Sequence, residues 1–209
     1  MNREAFLHFP FEQLDRQHQA VSFGMWIFLA SEVLLFGALF AGYAVYRLIY
    51  AQAFVDAARQ TNVLYGTLNT AILMTSSFTI ALAGRTAQAR FYRVARHLLV
   101  ITFCLGAIFL AIKGIEYRDD LVKGLVPRPN LAAGAQQFFS LYWIMTGIHA
   151  IHVTAGLIAV LRLIVLSGRE GRWLGGSASD TATALYWHLV DVIWIILYPL
   201  LYLTGRTHG

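Results

Sequence analysis

The chain has 209 residues, of which 58% are hydrophobic and only 13% are charged, and its mean hydropathy is +0.59. A typical soluble domain carries about 25% charged residues, so this composition excludes a water-soluble domain and predicts an integral membrane protein. The single cysteine, Cys104, excludes a disulfide-stapled secreted module. Because Lys and Arg beside membrane spans report orientation, the net charge of +5 does not indicate a nucleic acid partner, and we expect none.

Five apolar runs are long enough to cross a bilayer. A hydrocarbon core of about 30 Å requires roughly 20 apolar residues as helix. The sequence therefore predicts an all-α, integral membrane bundle of five transmembrane helices over 22–205, after a polar lead at 1–21 and before a short tail at 206–209. The predicted spans are 22–50, 64–84, 97–117, 138–166 and 183–203.

The connections between the spans are polar. The segment 118–137 contains Asp119, Asp120 and Lys123, and the segment 167–182 is rich in Gly and Ser, so both are typical of loops. The lead has no apolar core region, and the first apolar run is too long for a signal peptide. We therefore expect no cleaved segment.

The distribution of basic residues predicts the orientation. The 85–96 connection carries four Arg and no acidic residue, and cytoplasmic loops are enriched in Lys and Arg. With five spans, the N-terminal side holds Arg3, Arg16, Arg85, Arg90, Arg93, Arg96, Arg162, Arg169 and Arg172, and the other side holds Arg47, Arg59, Arg118, Lys123, Arg128 and Arg206. We predict that the N-terminus is inside and the C-terminus outside.

Glu32 is an acidic residue in the first predicted span. It lies about ten residues into the span, or about 15 Å along a helix, near the middle of the bilayer. A carboxylate there costs about 2.5–3.5 kcal/mol on insertion scales unless it is protonated, paired or turned towards protein. The sequence leaves two interpretations open: an acid that exchanges protons or contacts lipid headgroups, and a protonated acid that hydrogen-bonds a neighbouring helix and fixes its packing.

Three histidines and an aspartate lie in the last two predicted spans. His149 and His152 are three residues apart, as are His188 and Asp191, so each pair shares one helix face. Imidazole suits Zn, Cu, Fe, Ni and haem iron, which makes a metal or haem site one interpretation. The other, favoured by the small number of histidines, is that they hydrogen-bond other helices and that His188 satisfies Asp191. We therefore predict no metal or cofactor site in this chain.

Lys113 and Glu116 are three residues apart at the end of the third predicted span, where a helical ion pair is feasible. Long side chains at a helix end reach towards water, so the sequence predicts a helix-end pair rather than a buried pathway. Trp187 and Trp194 are expected to anchor the membrane interface. The tyrosines expected in the same aromatic belts are Tyr117, Tyr142, Tyr186 and Tyr202.

Longer strings carry a family resemblance. They are FGMWIFLASEVLLFGALFAGY from Phe23, NTAILMTSSFTIALA from Asn69, LGAIFLAIKGIEY from Leu105, TGIHAIHVTAGLI from Thr146 and YWHLVDVIWIILYPLLYL from Tyr186. In this order they resemble five successive spans of subunit III of the haem-copper respiratory oxidases. Five strings in one order make the resemblance specific.

The resemblance implies a non-catalytic subunit of a proton-pumping terminal oxidase of the cytochrome c oxidase type, in a bacterial inner membrane. Haem and copper are then expected in partner subunits, and this chain is expected to pack against the catalytic haem-copper subunit I, hold phospholipid and support proton uptake. By position, Glu32 matches the family's buried acid, His149 and His152 match its paired histidines, and His188 and Asp191 lie in its Trp-His-x-Val-Asp segment. The resemblance makes none of them a metal ligand.

Three departures from the family pattern keep alternatives open. Members with seven spans have two further helices before the acid-bearing one, so this chain resembles the short five-span bacterial form. Lys113 stands where many members carry a neutral residue, and Pro199 lies inside the last helix. The alternatives are subunit III of a quinol oxidase, the subunit-III-like partner of a nitric oxide reductase, an independent haem or metal enzyme, and a proton-coupled transporter that uses Glu32.

Overall fold

The computed structural model describes residues 14–167 and 178–206, and every regular element in this part of the chain is a helix. Five of the helices are long and apolar enough to cross a membrane, which confirms the predicted all-α five-span architecture. The helices are α1 (Leu14–Ile49), α2 (Ala51–Ala58), α3 (Val63–Gln88), α4 (Tyr92–Lys123), α5 (Ala133–Leu166) and α6 (Ala178–Tyr198), which continues into a π-helical turn at Pro199–Leu203.

Several sequence predictions fall outside the described residues. These are most of the polar lead and of the tail, the middle of the 167–182 connection, and Arg3, Arg169 and Arg172 among the basic residues that predict the orientation.

The helices extend beyond the apolar runs that predicted them. α4 continues to Lys123 and α5 begins at Ala133, so the predicted loop at 118–137 is wrong, and the connection is residues 124–132. The acidic residues remain helical because tyrosines from other helices hydrogen-bond to them: Tyr65 donates to Asp119 at 3.2 Å, and the Tyr142 hydroxyl lies 2.8 Å from Asp120 Oδ2. A hydropathy pattern places the end of a span at such charged residues, whereas their hydrogen bonds to other helices keep them within the helix.

The turns between the helices are tight. The predicted 85–96 connection is only residues 89–91, where Arg90 has a φ of 65° and Phe91 N donates to Thr86 O at 2.9 Å. At the other end of α4, Gly124 has a φ of 72°, a left-handed conformation that glycine adopts without a Cβ clash. α3 and α4 therefore form a helical hairpin, the most extensive helix pair of the fold.

The short helix α2 lies between the first two predicted spans. Its Phe54 is fully buried, with its ring centroid 5.3 Å from that of Tyr43 in α1 and 5.5 Å from that of Phe138 in α5. Arg59, directly after α2, donates to Gly205 O at 3.1 Å, and Arg206 donates to the carbonyl oxygens of the residues that end α2. This segment is thus folded back onto the end of the bundle.

Trp187 of α6 fills the centre of the bundle. An added Cβ on Gly106 of α4 would lie 2.7 Å from its ring, and an added Cβ on Gly156 of α5 would lie 2.9 Å from it. The two glycines therefore form the walls of the Trp187 site, and the indole nitrogen donates to Ser76 Oγ of α3 at 3.1 Å. Small residues at helix contacts allow this close approach in membrane bundles.

Pro199 changes the geometry of the last turns. It has no backbone N–H to continue the α-helical pattern, and the chain continues as a π-helical turn. The carbonyl of Leu200 accepts hydrogen bonds from the Tyr43 hydroxyl at 2.5 Å and from Thr204 Oγ1 at 2.7 Å. Side chains thus satisfy the backbone where the α-helix ends, as a lipid environment requires.

Helix α1 is the least covered of the five spans. In its most apolar stretch of 18 residues, only 11% is buried against the rest of the chain, compared with 39% for the corresponding stretches of α3 and α6. Gly37 and Gly42 make no close contact with another helix of the described chain, because nothing lies within 4 Å of a Cβ added at either. Its most exposed large apolar side chains are Phe23, Leu34, Leu48 and Ile49.

Candidate functional site

The acid of α1 lies against a histidine of α5. Glu32 Oε2 is 2.6 Å from His152 Nε2, and the two side chains are 12% and 15% exposed. The ring of Phe36, one turn further along α1, packs edge-on against the imidazole, with centroids 5.4 Å apart. Glu32 thus contacts a neighbouring helix, as one of the two interpretations of this acid requires.

The hydrogen-bond partners of His152 determine where its hydrogens lie. His152 Nδ1 is 2.8 Å from the carbonyl oxygen of Ile148, and a carbonyl can only accept, so Nδ1 carries a hydrogen. Nε2 then meets Glu32 either as the acceptor of a carboxylic acid O–H or as the donor of an imidazolium N–H. In both cases one hydrogen lies between Glu32 and His152. Glu32 and His152 therefore form a hydrogen bond between α1 and α5 near the middle of the first span.

His149 lies one turn before His152 but faces the interior. It is fully buried, with its ring 5.1 Å from that of Trp194 and 5.7 Å from that of Phe109, centroid to centroid. Neither ring nitrogen has a hydrogen-bond partner among the described residues. Although they are only three residues apart, the two histidines therefore lie in different surroundings.

The predicted contact between His188 and Asp191 is wrong. His188 Nδ1 is instead 2.7 Å from Ser77 Oγ of α3. Asp191 is 3% exposed, and its carboxylate oxygens have no hydrogen-bond partner in the described part of the chain. Ser77, rather than Asp191, is the hydrogen-bond partner of His188 because α3 packs directly against α6.

The structure does not bring the histidines together. His152 faces Glu32, His149 faces two aromatic rings and His188 faces Ser77. Within residues 14–167 and 178–206, no group of three or more His, Cys, Asp or Glu side chains is arranged to hold a metal ion. His152 and His188 thus each contact one polar side chain of another helix, whereas His149 has no hydrogen-bond partner among the described residues.

The prediction that Lys113 and Glu116 form a helix-end pair reaching towards water is wrong. Both are buried, at 2% and 1% exposure, with Lys113 Nζ 2.9 Å from Glu116 Oε2. Nζ also donates to the hydroxyl of Tyr142 at 3.1 Å and to that of Tyr202 at 2.7 Å. The physical reason is that α4 continues well beyond the pair and that α5 and the π-helical turn after α6 supply hydroxyl groups which replace water.

Sequence reasoning missed three members of this cluster. It places Asp120 in a loop and Tyr142 and Tyr202 in aromatic belts, although all three are less than 5% exposed. The spacing of Glu116 and Asp120, four residues apart, was the available signal, since it places both acids on one helix face.

The expected interfacial role of two tryptophans is also wrong. Trp187 is 1% exposed and Trp194 is fully buried, and the indole nitrogen of Trp194 donates to Thr70 Oγ1 at 3.0 Å. Hydroxyl groups of α3 thus satisfy both indoles inside the bundle. Tyr186 fits a belt better, because it is half-buried and its hydroxyl donates to the carbonyl of His152 at 3.0 Å.

Comparison with known proteins agrees with this architecture. Residues 12–206 match the family model described as cytochrome c oxidase subunit III. The chain is 36% identical to cytochrome c oxidase subunit 3 of Thermostichus vulcanus, over 92% of this chain and 93% of that protein. It is 31% identical to cytochrome bo(3) ubiquinol oxidase subunit 3 of Pseudomonas aeruginosa, over 88% and 84%.

A further relative joins two subunits in one polypeptide. The chain is 31% identical to the heme-copper oxidase subunit I+III of Aeropyrum pernix, over 94% of this chain but only 23% of that protein. The chain therefore spans about a quarter of this fused relative. The family match covers nearly the whole sequence and all five spans. The chain is a multi-pass membrane protein that belongs to the cytochrome c oxidase subunit III family, the third subunits of haem-copper oxidases.

Proposed function

We propose that this chain is a non-catalytic binding subunit that packs against the catalytic haem-copper subunit I in a bacterial inner membrane and supports aerobic electron transport. In this proposal the partner subunits hold the haem and copper. The observation that carries it is the relative named subunit I+III, in which the two subunits form one chain and therefore lie in one membrane beside each other.

The surface of α1 supports an accessory role. This helix leaves most of its apolar window uncovered by the rest of the chain, so lipid or protein must cover it in the membrane. Phospholipid acyl chains fit an apolar surface with small residues at Gly37 and Gly42. We propose that lipid bound along this surface stabilises the contact between the subunits.

The Glu32–His152 pair links α1 to the rest of the bundle in this proposal. It is a polar contact between α1 and α5 inside the membrane, where an unpaired carboxyl or imidazole is costly. Supporting proton uptake requires in addition that the proton of the pair exchanges. The E32Q variant separates the two roles: if it assembles normally but loses activity faster during turnover, the proton is used, and unchanged decay assigns the pair to packing alone.

The relatives favour cytochrome c over quinol as the electron donor of the complex, because identity is 36% to the cytochrome c oxidase subunit and 31% to the ubiquinol oxidase subunit. Because other subunits bind the electron donor, the identity of the donor is tested on the whole complex. Purified oxidase that contains this chain should oxidise reduced cytochrome c. Oxidation of ubiquinol alone would overturn this assignment.

Deleting this chain from the oxidase tests the accessory role. The optical spectra of the haems should remain largely unchanged, while activity should decay faster during sustained turnover, because the subunit stabilises rather than catalyses. Restoring the chain on a plasmid provides the control. A parallel loss of haem absorbance and of the subunit, with no change in the turnover lifetime of the remaining oxidase, would contradict the proposal.

A further inference from the structure

A buried charged cluster lies between α4, α5 and the π-helical turn after α6. Its members are Lys113, Glu116 and Asp120 of α4, Tyr142 of α5 and Tyr202 of the turn, all less than 5% exposed. It begins well inside α4 and ends at Asp120, one turn before the helix stops at Gly124. The cluster therefore connects the interior of the bundle with the end of α4.

The charges inside the cluster do not balance. Lys113 is the one buried cation in the described residues, while Glu116 and Asp120 are both buried acids. Ionisation of all three would leave a net negative charge where desolvation is expensive. One proton on an acid makes the cluster neutral.

The surroundings do not supply a second cation. Tyr117 of α4 faces the cluster, but its hydroxyl hydrogen-bonds to Thr146 at 2.7 Å. The other charged residues near this end include Asp119, which accepts from Tyr65 of α3, and the exposed Arg118, Lys123 and Arg128, of which Arg128 has its guanidinium beside Gly124. Arg59 and Arg206 at the same end are also exposed and donate to backbone carbonyls. Water screens these exposed cations, so they contribute little to neutralising a buried carboxylate.

The hydrogen bonds of Tyr142 also indicate that one acid of the cluster is protonated. Its hydroxyl oxygen accepts from Lys113 Nζ and lies 3.2 Å from Glu116 Oε1 and 2.8 Å from Asp120 Oδ2. A phenol carries one hydrogen, so it cannot donate to both acids at once. A protonated Asp120 supplies the second hydrogen by donating to the Tyr142 oxygen, while Tyr142 donates to Glu116.

The proton belongs on Asp120 rather than on Glu116. Glu116 receives hydrogen bonds from Lys113 at 2.9 Å and from Tyr202 at 2.7 Å, and both stabilise its ionised form. Asp120 has no direct hydrogen bond to Lys113 among the described contacts. Asp120 also lies closest to the helix end, where hydronium can deliver a proton and leave as water.

We propose that Asp120 is a proton-binding site of this subunit, in which the carboxyl holds one exchangeable proton and Tyr142 links it to the Lys113–Glu116 ion pair. The site is separate from the Glu32–His152 pair, and it depends on neither the electron donor nor the proposed accessory role. Lys113 sets the number of protons that the cluster holds, because removing its positive charge should add one bound proton.

Infrared spectroscopy of the intact purified oxidase tests the proposal. A protonated carboxyl gives a C=O stretching band above the amide region, which shifts when H₂O is exchanged for D₂O. Comparison of the parent complex with D120N should show the loss of one exchangeable carboxyl. K113Q, which keeps size and hydrogen bonding but removes the charge, should show two in place of one.

D119N is the matched control, since Asp119 is the adjacent acid and hydrogen-bonds to Tyr65 outside the cluster. It should leave the band unchanged. Retention of each variant subunit in the complex is verified by mass spectrometry before the spectra are compared. Equal bands in the parent and in D120N, a band lost in D119N, or a single carboxyl in K113Q would each overturn the proposal.

Discussion

Polar side chains of different helices meet in pairs inside this bundle. Besides Glu32 with His152, the hydroxyls of Thr79 and Thr102 lie 2.7 Å apart, and Ser77 lies 2.7 Å from His188. Such bonds add about 1 kcal/mol each, while leaving one partner unsatisfied costs about 1–3 kcal/mol. The polar residues therefore specify which helix faces meet more than they add to total stability.

For Glu32 we predict a difference between two substitutions. E32Q preserves the side-chain shape and can still hydrogen-bond to His152 Nε2, so the subunit should remain in the complex nearly as in the parent. E32A leaves the imidazole unsatisfied and should destabilise packing by about 1–3 kcal/mol. Quantitative mass spectrometry of subunit III in the purified oxidase measures both, and equal losses would contradict the hydrogen-bonding role.

Individual polar residues can be found in the sequence, but their partners cannot. Glu32 is recognisable as a buried acid, yet His152 lies 120 positions away, and no local pattern specifies that contact. Lys113 is misplaced for the same reason, since the hydroxyls that bury it come from two distant helices. Local spacing predicts a shared helix face, whereas the choice of partner is tertiary.

At the scale of elements, close contact between α4, α5 and α6 depends on glycines that face one indole. Gly106 and Gly156 leave no room for a methyl group beside Trp187, whereas Gly37 of α1 has nothing within 4 Å. Glycine therefore has different roles in the core and on the outer face of the same bundle.

We predict that G106A destabilises the subunit by about 1–3 kcal/mol, because its Cβ would overlap Trp187 and the Leu157 side chain. The matched control is G114A, which adds the same methyl group to the same helix without a clash, because nothing lies within 4 Å of a Cβ added at Gly114. Thermal unfolding of the purified complex, followed by release of subunit III, compares the two variants. The packing account fails if G106A and G114A release the subunit at the same temperature.

The helices themselves are largely predictable, because an apolar run of about 20 residues is the length that a helix needs to cross the hydrocarbon core. Their ends are not: α4 continues to Lys123 because Asp119 and Asp120 find tyrosine partners in the fold. The short α2 escapes prediction because it has only eight residues, and it is held by the burial of Phe54 rather than by its own helical tendency.

At the scale of the whole molecule, the basic residues at the two ends have different roles. Arg85, Arg90 and Arg93 are exposed around the α3–α4 turn. At the opposite end, Arg59 and Arg206 donate to backbone carbonyls and so hold the local fold together. Two of the basic residues that weigh against the predicted orientation therefore have a structural role.

The positive-inside rule predicts that the α3–α4 turn faces the cytoplasm and that the C-terminus lies outside. Alkaline phosphatase fused after residue 209 should be active, and a green fluorescent protein fused there should remain dark. The same reporters inserted at the α3–α4 turn should give the reverse pattern and serve as the control. A fluorescent C-terminal fusion would refute the orientation.

The central claim is that this chain functions by binding to a catalytic haem-copper subunit and carries no haem itself. Its most direct measurement is purification through a tag on this chain in mild detergent, followed by separation of the subunits and assignment of the haem absorbance. We predict that a large haem-bearing subunit co-purifies and that all haem absorbance separates with it. A Soret band that remains with this chain and disappears in H149A or H188A would contradict the account.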